Sequence, residues 1–218
     1  MTDDIPYILR GVEPIATDSS LLVSSSKYLN SARMRDWIAM VCLRRNGPDF
    51  PLPAELYEMV LLLNELQDQD RIEEMFTEER RVNPRLNAWF DEAYYSPALV
   101  AADYKDYPKG TVGHILYSQF GDKYEVRISE DQFEPAKTQY EFYRRRQVQQ
   151  HDLEHILTGG GIDALGELVP AYHRMANLPR FIKNQELAGE LVSIHVLASL
   201  RYTVRTMLHY PQVWTHCL

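Results

Sequence analysis

"QQHDLEHILTGGGIDALGELV", residues 149–169, decides how this chain is read. Its first half carries no helix breaker up to Thr158. Gly159–Gly161 then stop the helix, because glycine supplies the left-handed turn that closes a helix C-terminus. Asp163 is a good N-cap for a second helix, its side-chain oxygen accepting from the free N–H groups of a new first turn. The stretch therefore predicts helix, tight turn, helix. On the first helix His151 and His155 stand four apart and share a face. Asp152 lies three before His155 and reaches the same edge. Glu167 falls about one turn inside the second helix. If the helices pack antiparallel, it returns beside the histidines. Two imidazole nitrogens and up to two carboxylate oxygens suit a divalent transition metal. The plainer reading is a helix whose histidines are merely solvated or packed.

Outward from this stretch, helical periodicity dominates. Residues 19–43 place apolar side chains at Leu22, Leu29, Trp37, Ile38, Val41 and Cys42. "GPDFPLP" at 47–53 ends that helix. A second helix over 53–68 shows a stripe of Leu56, Val60, Leu63 and Leu66. A short charged helix covers 69–80, another lies within 83–97, and a turn and helix fill 107–122, ending near Gly121. A long helix runs from Pro135 to about Leu157, the next from Asp163 to about Asn177 and the last over 180–209. The last is apolar on most sides ("LAGELVSIHVLASL"), as a central core helix is. "KYEVRIS" at 123–129 alternates like a strand, but one strand makes no sheet. The expectation is an all-α, bundle-like fold read as a single domain over 1–218, with at most a minor extended segment near 123–129.

Bulk composition excludes several functions. Net charge is −8, which disfavours nucleic acid as a partner. Cys42 and Cys217 are the two cysteines, too few for a disulfide framework or a cysteine metal cage, and a reducing compartment fits. The opening "MTDDIPYILRGVEP" has no basic region followed by an apolar run, so no signal or transit peptide is expected. The longest apolar runs, such as "MVLLL" at 59–63, are far short of a membrane span. A cytoplasmic protein follows, at most peripheral on the inner membrane face.

Spacing alone leaves the metal chemistry open. A zinc peptidase would carry glutamate where Asp152 stands, and no third histidine ligand follows. A phosphohydrolase built on a His–Asp pair would need an earlier histidine, for which His114 is available, and a distant aspartate that nothing fixes. A di-iron bundle needs two carboxylate-x-x-His units, and Asp152–His155 is one. A single metal is favoured. Arg144, seven before His151, and Arg174, seven after Glu167, are candidates for an anionic group of a ligand, though Arg144 sits in "RRR" and reads more readily as a solvated cation. Tyr140, Phe142 and Tyr143 read as core or as the lining of an apolar pocket, His195 as a buried, satisfied histidine, and Glu186 with Glu190 as a solvated stripe.

The pattern H-D-x-x-H, eleven residues, then E resembles the metal motif of the coenzyme Q (ubiquinone) biosynthesis protein-four family. "YEFYRRRQVQQHDLEHILTG" resembles that family's Tyr- and Arg-rich helix, and "YPKGTVGHIL" (107–116) its Pro-x-Gly-Ser/Thr-x-Gly segment. The resemblance covers about 107–180, and the rest of the chain more loosely. It implies an all-helical fold and one divalent metal, zinc in the family, with magnesium or another divalent ion as alternatives. Carried over by position, the ligands are His151, Asp152, His155 and Glu167. It further implies polyprenylated quinone precursors or isoprenoid lipids as ligands and other quinone-biosynthesis enzymes as partners. A homodimer is expected besides, with the apolar last helix as one candidate for its interface. The reaction implied is decarboxylation, oxidative or not, of a polyprenyl hydroxybenzoate. The alternatives are a prenyl-lipid-binding scaffold without turnover, and an unrelated metallohydrolase.

Overall fold

A computed structural model describes residues 24, 26–43, 52–95, 99–121, 125–126, 135–161 and 166–209. Among them the chain forms α1 (Lys27–Asn30), α2 (Ala32–Leu43), α3 (Leu52–Leu66), α4 (Gln69–Val82), α5 (Pro84–Glu92), α6 (Val112–Phe120), α7 (Gln139–Thr158), α8 (Leu168–Phe181) and α9 (Gln185–His209). The fold is all-α. The extended segment expected at 123–129 is represented by β2 (Glu125–Val126), which pairs antiparallel with β1 (Leu99–Val100) over two residues each. A single 3₁₀ turn, Ala101–Tyr104, follows β1.

Contacts gather into two compact units, the first taking in residues up to Gln67 and from Leu197 onward, the second Asp68–Val196. In the first, the helix expected over 19–43 is divided at Ser31, and Leu29 is exposed. Residues 19–23, with Leu22, lie outside the described residues. The buried face of α2 is Met34, Trp37 and Val41. On α3 the buried residues are Met59, Leu62 and Leu63, which turns the expected stripe by roughly one residue; the Leu56 side chain is not among those described.

The second unit holds the motif. Its core joins Ile72, Met75 and Phe76 of α4, Phe90 of α5, Tyr140, Phe142 and Tyr143 of α7, and Leu187, Ala188 and Leu191 of α9. Aromatic rings lock these helices together: Phe76 meets Phe90 edge-on at 5.4 Å, and Trp89 lies 4.8 Å from Phe142. Burying such rings is the main stabilising term, on the order of 2 kcal/mol or more each. Tyr140, Phe142 and Tyr143 thus belong to the packed core. The helix starts are fixed by polar caps. Asp68, Asn83, Thr111 and Thr138 accept from the first-turn N–H groups of α4, α5, α6 and α7. Pro84 takes the first position of α5, where its missing N–H costs nothing.

Two carboxylates, the half-buried Glu73 and the buried Glu79, set the frame around the motif. Glu73 of α4 accepts from Gln139 N at 3.0 Å and Tyr140 N at 2.7 Å, so it anchors the start of α7. Glu79, 1% exposed, accepts from Lys183 N and Asn184 N, both at 2.9 Å, and from the Asn83 amide at 2.8 Å. It ties the α8–α9 corner to the end of α4. Asn184 Oδ1 then caps α9 through Glu186 N and Leu187 N. No helix among the described residues is long and apolar enough to cross a membrane.

Candidate metal centre

α7 ends at Gly159, whose φ of +75° is the left-handed closing turn that its glycine allows. The second helix departs from expectation. It begins at Leu168, with Glu167 at its N-cap position and not one turn inside, and it continues beyond Asn177 through Pro179 to Phe181. Asp163 lies outside the described residues. The later start brings Glu167 closer to the end of α7, and the backbone of Gly166 passes close to that of Gly161. A Cβ on Gly166 would run into the Gly161 carbonyl, so only glycine permits this approach.

The antiparallel pairing of α7 and α8 is held by Arg174. Its Nε donates to Glu154 Oε2 at 2.6 Å and its Nη2 to the Gln147 carbonyl at 2.7 Å. With that register fixed, Glu167 returns to the histidines. His151 Nε2 lies 3.0 Å from Glu167 Oε2 and 3.2 Å from His155 Nε2. His155 Nε2 lies 3.5 Å from Glu167 Oε1. The rings are nearly perpendicular at 84°. Among the described residues, His151, His155 and Glu167 form a group with ligand atoms all within 4.8 Å of one another.

Protons satisfy this triangle only in part: with an Nε2–H on each imidazole both rings can donate to Glu167, but the two N–H groups then face each other at 3.2 Å. An imidazole nitrogen offers one N–H or one lone pair. If His151 Nε2 donates to Glu167, it has no lone pair left for an N–H of His155. If it accepts from His155, its lone pair faces a carboxylate oxygen at 3.0 Å. Should one N–H be shared between both partners, the His155 lone pair faces Glu167. A cation at the centre would attract all three ligand atoms at once and offset the repulsion between their lone pairs. The dimensions agree: ligands about 2.0–2.2 Å from a metal, at angles between square and tetrahedral, stand about 2.9–3.5 Å apart. The three residues can therefore hold a divalent metal ion. His155 is 1% exposed, while His151 and Glu167 are 34% and 31% exposed. One side of the site is sealed and the other opens outward. Three protein ligands with an open position are the arrangement of a metal that binds a further ligand.

The remaining expected residues sort differently. Asp152 is partly buried beside His151 but is outside the group of three. Its position next to His151 on a helix turns its side chain by about 100° from its neighbour's. Arg144 lies over the Tyr140 ring at 5.6 Å. Arg174 is committed to Glu154 and Gln147, so its role is to clamp the helices, not to await an anionic ligand. His114 sits in the first turn of α6 and is not part of the group. Glu186 is exposed and pairs with Arg71 at 3.1 Å.

His195 overturns its expectation. It is 8% exposed, as a core histidine should be, yet its Nε2 has no hydrogen-bond partner among the described residues. Burial, the charge of Arg174 and the neighbouring His151 push its pKa down to about 3. Sequence reasoning also missed Glu154. Folding the two helices about the glycine turn places it opposite Arg174, so the pairing was available from an antiparallel alignment.

Comparison of the chain with family models, with curated proteins and with solved structures finds no match.

Proposed function

We propose that this chain is a metal-dependent protein acting on polyprenylated quinone precursors, with zinc at His151, His155 and Glu167. The observation that carries the reading is the convergence of the first histidine, the second histidine and the glutamate of one H-D-x-x-H–eleven–E motif on a single point. The attachment to quinone precursors comes from the motif's resemblance to the ubiquinone biosynthesis protein-four family. The proposed reaction is decarboxylation of a polyprenyl hydroxybenzoate.

A bound divalent ion supplies Lewis acidity toward oxygen atoms of the ring ligand. His151 and His155 contribute neutral nitrogens, and Glu167 contributes one negative charge that offsets part of the ion's. His155, being sealed in, fixes the inner side of the site, while the exposed edges of His151 and Glu167 leave the approach open. Arg174 and Glu154 keep α8 in register, so Glu167 meets the histidines without further adjustment. The precursor's apolar tail gives the protein its reason to work beside a membrane, docked through apolar surface or a partner and not by bulk charge, since net charge is −8.

Elemental analysis of the pure protein beside His155→Ala tests the shared premise. About one zinc per chain, lost in the variant, is expected; equal metal content in both rules out the centre. Carbon dioxide release from a prenylated hydroxybenzoate, abolished by Glu167→Ala with helical content retained, is the expected enzymatic result. Lipid binding without release would reassign the protein as a carrier.

A further inference from the structure

Tyr143, Gln147, His151 and His155 follow one another at four-residue steps along α7, so they form a single slowly winding stripe. The stripe's last two members belong to the metal centre. Its first two carry buried polar atoms with no partner among the described residues, Tyr143 Oη and Gln147 Oε1. His195 Nε2 on α9 is a third. Tyr143 and His195 are 6% and 8% exposed. Both helices meet in the same core, where Tyr143 of α7 and Leu191, one turn before His195 on α9, belong to one cluster. Arg174 links the three: its Nη2 donates to the Gln147 carbonyl and its charge acts on both Tyr143 and His195, which also feels His151. Interior donors and acceptors are nearly always paired, so these orphans, which with Arg146 Nε, Gln149 Nε2 and His155 Nδ1 make six among the described residues, call for partners that something else supplies.

We propose that Tyr143, Gln147 and His195 are binding residues for an uncharged, hydroxyl-bearing group of the ligand that the metal centre receives. This rests on the metal reading above and extends it to the polar wall next to the ion. The charge state of the wall selects the ligand chemistry. Burial pushes the Tyr143 hydroxyl well above the ordinary phenol range, so it stays a neutral donor. His195 is held neutral and offers either a lone pair or an N–H. The Gln147 amide oxygen only accepts. Arg174, the nearby cation acting on both Tyr143 and His195, is already balanced by Glu154 at 2.6 Å. A carboxylate or phosphate would face the Gln147 oxygen as an uncompensated acceptor and find Arg174 already paired. A hydroxyl can donate to Gln147 and accept from Tyr143 or His195, which satisfies the set.

The test uses the full chain with phenol and toluene as probes, which differ in the hydroxyl. Calorimetric titrations are run with and without zinc on the wild type, Tyr143→Phe, Gln147→Met and His195→Leu. The wild type is expected to prefer phenol over toluene by about tenfold, the ratio one net hydrogen bond supplies. Each variant should lose most of that preference while zinc affinity and helical circular dichroism stay unchanged. Tyr143→Phe removes a single oxygen, so it keeps the test valid if a larger change disturbs folding. A preference equal in all variants, or absent in the wild type, overturns the proposal and leaves the orphans to water. Tighter binding of acetate or phosphate than of phenol to the zinc-free chain overturns the neutral assignment, and loss of zinc on His195→Leu would make His195 a ligand instead. If the wild type binds no zinc yet the phenol preference disappears in the variants, the metal reading fails and the wall stands.

Discussion

Arg174 of α8 and Glu154 of α7 form an ion pair at 2.6 Å with side chains only 10% and 17% exposed. The pair does for the motif what its own residues cannot: it fixes the register that puts Glu167 beside His151. Removing one partner strands the other charge in a poorly hydrated place. Arg174→Leu should therefore cost about 3 kcal/mol in urea denaturation. Zinc affinity should drop as well, because Glu167 loses its register. The double variant Arg174→Leu/Glu154→Leu should recover much of the stability, since an apolar pair leaves no charge unpaired. Equal losses in single and double variants would show that the pair is not the clamp.

Glu79 is a buried carboxylate whose removal should be felt far from the change itself. Burial raises its pKa, but the bonds from Lys183 N, Asn83 and Asn184 N outweigh that and hold it below the ordinary 4.5. Glu79→Ala would leave three donors without their acceptor, at a cost of about 2–3 kcal/mol. A carboxyl depressed in the fold stabilises above its unfolded value and loses that contribution as pH falls through the folded value. The wild type should thus lose more stability between pH 5 and pH 3 than Glu79→Gln, which has no proton to gain. Parallel denaturation curves for the two proteins over that range would contradict this.

How much of this was legible in the sequence depends on range. Local rules worked wherever a cap or breaker was strong. Gly121 and Gly159 end helices as expected, and α9 covers 185–209 within the predicted 180–209. The joining of His151, His155 and Glu167 was foreseen because one turn and one packing direction suffice to place them. The failures came from longer-range packing. The buried stripe of α3 is set by what packs on it, not by its own periodicity. The start of α8 at Leu168 follows from the close passage of Gly166 past Gly161, which no cap signal encodes. His195 reads alone as an ordinary core histidine; its missing partner depends on what α7 brings next to it.

His195 should also give the protein an acid-sensitive step distinct from that of Glu79. Its folded pKa of about 3 lies below the ordinary 6.5, under the influence of burial first and then of Arg174 and His151. Between those values the unfolded chain binds the proton more tightly, so stability falls as pH drops below about 6.5 and keeps falling toward pH 3. At pH 5 the loss relative to neutral pH is on the order of 2 kcal/mol. With a chelator present to remove metal effects, His195→Gln should flatten the stability profile between pH 5 and pH 7. A slope unchanged by the substitution would assign the effect to other groups.

The glycine turn makes the sharpest mutational contrast. Gly159 and Gly166 stand at the two ends of the turn, but they are glycine for different reasons. Gly159 needs a positive φ and has open space where a Cβ would go. Gly159→Ala should therefore cost only about 1 kcal/mol, the strain of a left-handed alanine, and leave zinc affinity nearly intact. Gly166 has the Gly161 backbone where its Cβ would go, and backbone cannot swing aside like a side chain. Gly166→Ala must push the start of α8 away from the end of α7, and Glu167 moves with it. Zinc affinity measured by calorimetry should fall at least about tenfold, which corresponds to a carboxylate displaced from its ligand position. The rest of the second unit, held by the Phe76, Phe90 and Tyr143 core, should keep its helical content. If both variants bind zinc equally well, the close passage at Gly166 is not what delivers Glu167 to the histidines.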